Sequence, residues 1–313
     1  MAKQKFDQQI AALEDLRQNP ASSSTTESLR KALANRNNFI VAKASKIAAE
    51  LGLKELIPDL LSALDRFFTD PVKSDPQCWA KKALFQAFAD LGHNQADVYL
   101  RGLKHTQMEP VWGGQQDTAA AVREACALAL IECRDVSDIV LLGHLIEALT
   151  DTDKTVRVEA ARAIGRIDRP EAALLLRLRA LVGDEEPEVL GACFSALLSI
   201  EGRAGIAFVS RFLDNKGDEG AEAALAIGLM RTPEAHRALK DKWEHERESE
   251  FAGILLSAIA LTRQPEALDF LVDLIATDSS SAPAARAALD SAGLSPDQRA
   301  QVAAAVERKR NTL

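Results

Sequence analysis

The chain is short of aromatic residues, which make up 5% of its 313 positions, with one Tyr and three Trp. A core large enough for this length must then be chiefly aliphatic. Alanine and leucine supply it, because small residues at a contact let two helix axes approach closely. Strand signals are equally thin: β-branched residues do not cluster, and no Asn-Gly or Asp-Gly marks a tight hairpin. Cysteine is scarce. Cys78, Cys126, Cys133 and Cys193 contain no CxxC pair, so neither a disulfide framework nor a zinc ribbon is expected, and a reducing compartment suits the chain. Long apolar runs are missing too. No segment reaches about 18 uninterrupted apolar residues, and Met1-Ala2-Lys3-Gln4-Lys5-Phe6-Asp7 is followed by Gln8-Gln9 where a signal peptide would turn apolar. A cytoplasmic location is the expectation. Basic excess is absent as well: the formal net charge is −8, which weighs against a dedicated nucleic-acid binder, since phosphate contacts need a basic stripe. The balance is uneven, with nine Lys/Arg against seven Asp/Glu in residues 1–60 and six against ten in 214–250.

What the chain does have is a recurring phrase. It is clearest as Val156-Arg157-Val158-Glu159-Ala160-Ala161-Arg162-Ala163-Ile164-Gly165. It returns as Glu222-Ala223-Ala224-Leu225-Ala226-Ile227-Gly228 and, earlier, as Val122-Arg123-Glu124-Ala125-Cys126-Ala127-Leu128-Ala129-Leu130. Counted at its glycine position, the phrase falls at Gly52, Gly92, Ile131, Gly165, Leu198, Gly228, Ala260 and Asp290, at intervals of 40, 39, 34, 33, 30, 32 and 30 residues. A period in the thirties means stacked helical hairpins, each covering its neighbour's apolar face.

Each phrase ends a first helix, and a second follows a short turn. Pro170, Pro233 and Pro265 stand where that second helix begins, a position at which the missing N–H costs nothing. Asp117, Asp151, Asp184 and Asp218 precede or open the first helices, where a cap and a favourable dipole charge are wanted. At the N-terminus, residues 3–17 form an amphipathic helix, and Asn19 to Thr26 is a polar loop whose last threonines suit N-caps.

The phrase Asp153 to Gly165 (Asp-x-x-Val-Arg-x-x-Ala-Ala-x-Ala-Ile-Gly) and its weaker copies resemble the HEAT-repeat family, most closely the bacterial type first noticed in phycobilisome lyases. The resemblance spans roughly residues 39–295. It implies an all-α fold, an α-solenoid in the form of a right-handed superhelix of about eight HEAT-like hairpins, with the second helices lining the concave surface. Residues 1–35 would then be an N-terminal helical cap with a polar linker, 36–295 the repeat array and 296–313 a capping helix.

The two long intervals contain inserts, Phe67 to Pro76 and His105 to Gln116, and such loops often carry binding. In the second, Trp112 precedes Gly113-Gly114. It is either an exposed anchor of the kind found at interface hot spots, or a ring tucked over the stack with the glycines permitting the turn. Trp243 completes a stripe with Ala235 and Leu239 and reads as core. Trp79 also reads as core, stapling its hairpin. Phe67 and Phe68 cannot both face inward on one helix. On α-helical spacing Leu174, Leu178 and Leu181 take the buried stripe of their helix and turn Arg177 away from it. Arg177 and Arg179, with Arg101 and Lys104, would then project from the concave wall, where basic residues suit an acidic peptide or phosphates, or are a solvated face.

Signs of chemistry are sparse. No GxxxxGK[ST] phosphate loop is present. His144 and Glu147 are the one His–Glu pair at ligand spacing, where the HEAT-like deoxyhypusine hydroxylases carry several to hold iron. The HEAT-like alkylpurine DNA glycosylases use a basic concave surface, which the acidic balance opposes. Cys126 and Cys133 sit among Ala and Leu and read as buried, inert thiols. No Ser/Cys–His–acid set stands out. The expectation is therefore a non-enzyme with no cofactor and no metal, a cytoplasmic adaptor holding a protein or peptide partner on its concave surface or insert loops. The alternatives are an accessory lyase or chaperone-like protein for attaching a cofactor to a client, by analogy with the phycobilisome-lyase repeats, and, behind that, a nucleic-acid binder.

Overall fold

The computed structural model describes residues 2–18, 23–215, 217–246, 250–277 and 280–311. The chain forms two compact units, Met1–Ala163 and Ile164–Leu313, and both are stacks of helices. In the first unit the order is α1 (Ala2–Gln18), α2 (Ser23–Leu33), α3 (Asn38–Glu50), α4 (Ile57–Phe68), the short α5 (Pro71–Ser74), α6 (Trp79–Asp90) and α7 (Ala96–Leu103). A β-hairpin follows, β1 (Met108–Val111) and β2 (Gly114–Asp117), then α8 (Ala120–Ala129) and α9 (Asp138–Ala148). The boundary falls within α10 (Lys154–Gly165). The second unit continues with α11 (Pro170–Val182), α12 (Pro187–Glu201), α13 (Arg203–Ser210), α14 (Gly217–Leu229), α15 (Pro233–Glu246), α16 (Phe251–Thr262), α17 (Pro265–Ala276), α18 (Ala282–Ser291) and α19 (Pro296–Arg310).

Successive first helices lie against one another: α3 on α6 and α6 on α8 in the first unit, α12 on α14, α14 on α16 and α16 on α18 in the second. The second helices α11, α15 and α17 each pack on the first helix that follows. This is the α-solenoid plan, and local chemistry sets its elements. Pro170, Pro233 and Pro265 are each the first residue of their helix. Ser295 caps α19 by accepting from the Gln298 N–H while the Gln298 side chain accepts from Ser295 N–H, a reciprocal capping box. Gly52 and Gly92, with φ of +66° and +72°, stop α3 and α6 in a conformation that favours glycine.

The phrase glycines further along do a different job. A Cβ on Gly165 would lie 2.5 Å from the Ala196 Cβ, so this position is empty because α12 occupies the space.

The core is aliphatic for most of its length, but the few aromatics are concentrated. Phe85 stands at the centre of a cluster with Phe68, Phe88 and Tyr99, at ring separations of 6.3 to 6.5 Å. Phe67 is buried and Phe68 half-buried, as their adjacency requires. Trp243 is buried against Phe270. Trp79 departs from expectation: it is half-exposed, its ring 5.3 Å from that of Phe39. It opens α6, and beyond its contact with Phe39 of α3 about half of it is left to solvent. The polar stretch before α2 is also shorter than expected, because Ser23 to Thr26 already lie in that helix; Asn19 to Ser22 lie outside the described residues. All four cysteines are buried, but α8 ends at Ala129, so Cys126 and Cys133 do not share one helix. Among the described residues no helix is long and apolar enough to cross a membrane.

Candidate interaction surfaces

The second insert is a β-hairpin, although its sequence carries no standard turn signal. Met108 pairs with Asp117 and Val111 with Gly114, leaving Trp112-Gly113 as a two-residue loop. Gly113 has φ of +90°, which the turn demands. The base is held by a network of polar side chains. The Gln107 amide donates to the Asp75 carbonyl (2.9 Å) and to Glu109 Oε1 (2.7 Å). The same oxygen accepts from the Thr118 hydroxyl (2.6 Å) and the Gln77 N–H. Asp117 accepts from the Gln107 and Ala119 N–H groups, at 3.0 Å each, and from Arg123 at 2.7 Å. Arg123 in turn grips Asp151 with two bonds of 2.7 and 2.9 Å. Burial pushes the Glu109 carboxyl upward, but hydrogen bonds from Thr118, Gln107 and Gln77 outweigh it and hold the group below the ordinary range. At Asp117, too, burial is outweighed, here by the Gln107 and Ala119 N–H groups and by Arg123, so its carboxyl is also held low.

Beneath this network lies an ion pair with no solvent exposure on either side chain. Lys81 Nζ is 3.1 Å from Asp75 Oδ2, and Asp75 also accepts from the Ala80 and Lys81 N–H groups and from the Asn38 amide. Asp75 thereby serves as the local cap of α6, across Gln77 and Cys78, both of which are left-handed. Cys78 is pushed up to about 11, first by burial, so no reactive thiolate forms there.

The hairpin base is thus fixed and its tip is bare. Trp112 is fully exposed, and Met108 and Val111 are each nearly half-exposed. Of the two readings of Trp112, the ring projects into solvent. Behind the hairpin a cleft of about 880 Å³ is lined by Lys104, Met108, Arg123, His144, Glu147 and Asp151. Arg123 is saturated by its carboxylates, which leaves Lys104 as the exposed cation of the cleft. Among the described residues no three His, Cys, Asp or Glu side chains converge as metal ligands would.

The other basic residues are engaged within the chain. Arg101 pairs with Asp65 and lies over the Phe68 ring, 3.9 Å from its centroid. Arg177 makes a two-pronged contact with Glu201 and covers the Phe208 ring at 4.4 Å. Arg179 pairs with the buried Asp184. Arg101, Arg177 and Arg179 thus each meet a carboxylate that offsets their charge, while Lys104 is exposed.

The reading of α11 is reversed. Leu174, Leu178 and Leu181 do not take its buried stripe: they are 65%, 59% and 57% exposed, and Val182 is 70% exposed. Ala172, Ala173, Leu176 and Ala180 are the buried side. The helix is apolar nearly all round, it packs on α12, and its alanine-rich face is the buried one because small side chains allow the closer approach. Arg177 flanks the exposed stripe. In the first unit α9 has a similar excess, with Ile139, Val140 and Ile146 exposed and Leu141, Leu142 and Leu145 buried. Sequence reasoning missed both faces. The available signal was that each helix has more apolar side chains than one neighbour covers.

The chain matches the family described as HEAT repeats over residues 142–227, a shorter span than the repeated phrase suggests. No curated protein matches the sequence. Among solved structures, one described as an engineered protein is 18% identical and has a TM-score of 0.37, over 96% of this chain and 93% of its own. A likeness that loose bears on neither fold nor partner. Residues 142–227 are HEAT repeats, and helices stacked in the same first-on-first order lie on both sides of that span.

Proposed function

We propose that the chain is a non-catalytic interaction scaffold, holding a protein or peptide partner on the open face of α11 or on the Trp112 hairpin. The observation that carries this reading is α11. A helix with apolar side chains on both faces is stable in water only when both are covered, and here one face is open along Leu174, Leu178, Leu181 and Val182. Open apolar patches of this kind mark interaction sites. The hairpin adds a second element of the same type, a large aromatic ring presented on a base that is fixed by Glu109, Asp117 and Arg123. HEAT repeats commonly serve as protein-binding scaffolds, which agrees with both.

The test is capture of partners from native extract by the full chain, alongside Leu178→Asp and Trp112→Ala. Both side chains are exposed, so circular dichroism and the unfolding midpoint are expected to stay at wild-type values. A partner lost in either variant supports the scaffold reading. Partners that bind all three proteins equally, or the absence of any partner, count against it.

A further inference from the structure

We infer that the second unit holds a binding site for a small aliphatic carboxylate, in a pocket between α18 and α19 that is independent of the scaffold reading. α17 packs on both of those helices, while α18 and α19 make little contact with each other. The space between them is a pocket of about 320 Å³, at the small end of the roughly 300–1,000 Å³ typical of ligand sites. One turn of helix, about 10 Å across and about 5.4 Å long, already exceeds that volume, so the occupant is a small molecule. The floor is aliphatic: Ile275 of α17, Leu289 of α18, Leu294 of the turn before α19 and Val306 of α19 line it and are buried. On the α19 side Ala303 lines the pocket and is exposed, so a methyl group stands where a larger side chain would fill the gap.

The charges specify the head group. Five charged side chains line the pocket, Arg286, Arg299 and Arg310 against Asp290 and Glu307, a surplus of one positive charge. The other charges of α17 and α19 lie outside the lining, and Asp273 and Lys309 among them pair with each other. Arg286 and Arg310 have no hydrogen-bond or ion-pair partner among the described residues. Arg299 gives only its Nε–H, to the Leu294 carbonyl at 3.0 Å. The terminal N–H groups of all three guanidiniums are therefore open, and such groups grip a carboxylate with two parallel bonds. A surplus of one charge suits a monoanion. A phosphate monoester, with a charge of about −1.5 to −2, is opposed by Asp290 and Glu307. An aliphatic floor beneath unpaired guanidiniums thus matches a short apolar tail with one carboxylate.

The experiment is isothermal titration of the full chain with octanoate, and with octanol and octylammonium as neutral and cationic heads on the same tail. Octanoate is expected to bind with a Kd of about 1 mM or tighter, the order open to a ligand of about ten heavy atoms. Its charge-assisted hydrogen bonds place it at least about tenfold ahead of octanol, and octylammonium does not bind. Arg286→Gln combined with Arg310→Gln, both at exposed positions, brings octanoate to the level of octanol. Ala303→Leu fills the pocket and removes binding of both, while the unfolding midpoint holds or rises. Octanol or octylammonium binding as tightly as octanoate overturns the inference, as does octanoate binding that survives Ala303→Leu or is indifferent to the arginine changes. The absence of octanoate binding at several millimolar overturns it as well. Leu178→Asp, on the open face of α11, is expected to leave the titration unchanged; loss of binding in that variant puts the ligand on α11 and overturns the assignment to this pocket.

Discussion

Gly228 lies so close to Ala258 that a methyl group in place of its hydrogen would stand 2.5 Å from the Ala258 carbonyl oxygen. The repeated glycine is therefore a contact residue here, the point where α14 meets the backbone of α16. Replacing Gly228 with Ala forces the two helices apart. A loss of about 1–3 kcal/mol is expected, exceeding the gain in helix propensity of about 1 kcal/mol. Gly143, within α9, has nothing within 4 Å of the same position, so Gly143→Ala is expected to stabilise by about 0.5–1 kcal/mol. Urea denaturation of the two variants, with changes of opposite sign, checks the contrast.

The buried pair of Lys81 and Asp75 supports a second prediction. Lys81→Met leaves an uncompensated carboxylate with no solvent and is expected to cost roughly 3–5 kcal/mol. Adding Asp75→Asn removes that charge and keeps an acceptor for one of the two α6 N–H groups. The double variant is expected to lose clearly less than the sum of the single changes. Additive losses in a denaturation cycle contradict the pairing.

Acid acts on the two units with opposite signs. Asp117 and Glu109 are held below their ordinary values, so they stabilise the first unit at neutral pH. That contribution is lost as pH falls from about 4 through their folded values. Glu222 is raised, first by burial and then by Glu188 and Asp218, so its charge destabilises the second unit at neutral pH and protonation relieves it. Thermal melts between pH 3 and 7 are expected to show a shallower acid decline for Asp117→Asn than for the wild type. Glu222→Gln is expected to raise the midpoint at pH 7, with the advantage shrinking on acidification.

The hairpin predicts a spectroscopic signature. Trp112 is bare to water, Trp79 half-exposed and Trp243 buried at 4% exposure. Trp112→Phe is expected to remove the most red-shifted and most acrylamide-accessible emission while changing stability by less than about 0.5 kcal/mol. Unchanged quenching places the ring against the protein.

Legibility along the chain follows the range of the forces. Helix starts at Pro170, Pro233 and Pro265 were legible because each depends on one residue and its own N–H. Trp243 was legible because a stripe four residues apart, with polar residues opposite, leaves one face to bury. The hairpin was not. Trp112-Gly113 is an uncommon loop, and its strands are fixed by Asp75, Gln77 and Arg123, at up to 32 residues' remove in sequence.

The sequence by itself determined that this protein is a stack of helices with small residues at the contacts, since the period of the phrase and the prolines act within a few turns. The tertiary structure decided which side of α11 faces solvent. With leucine on one side and alanine and leucine on the other, hydropathy favours neither, or favours the wrong one. The packing of α12 on α11 settled it, with Ala172, Ala173, Leu176 and Ala180 on the buried side, because close packing over small side chains outweighs the burial of three leucines that are left exposed.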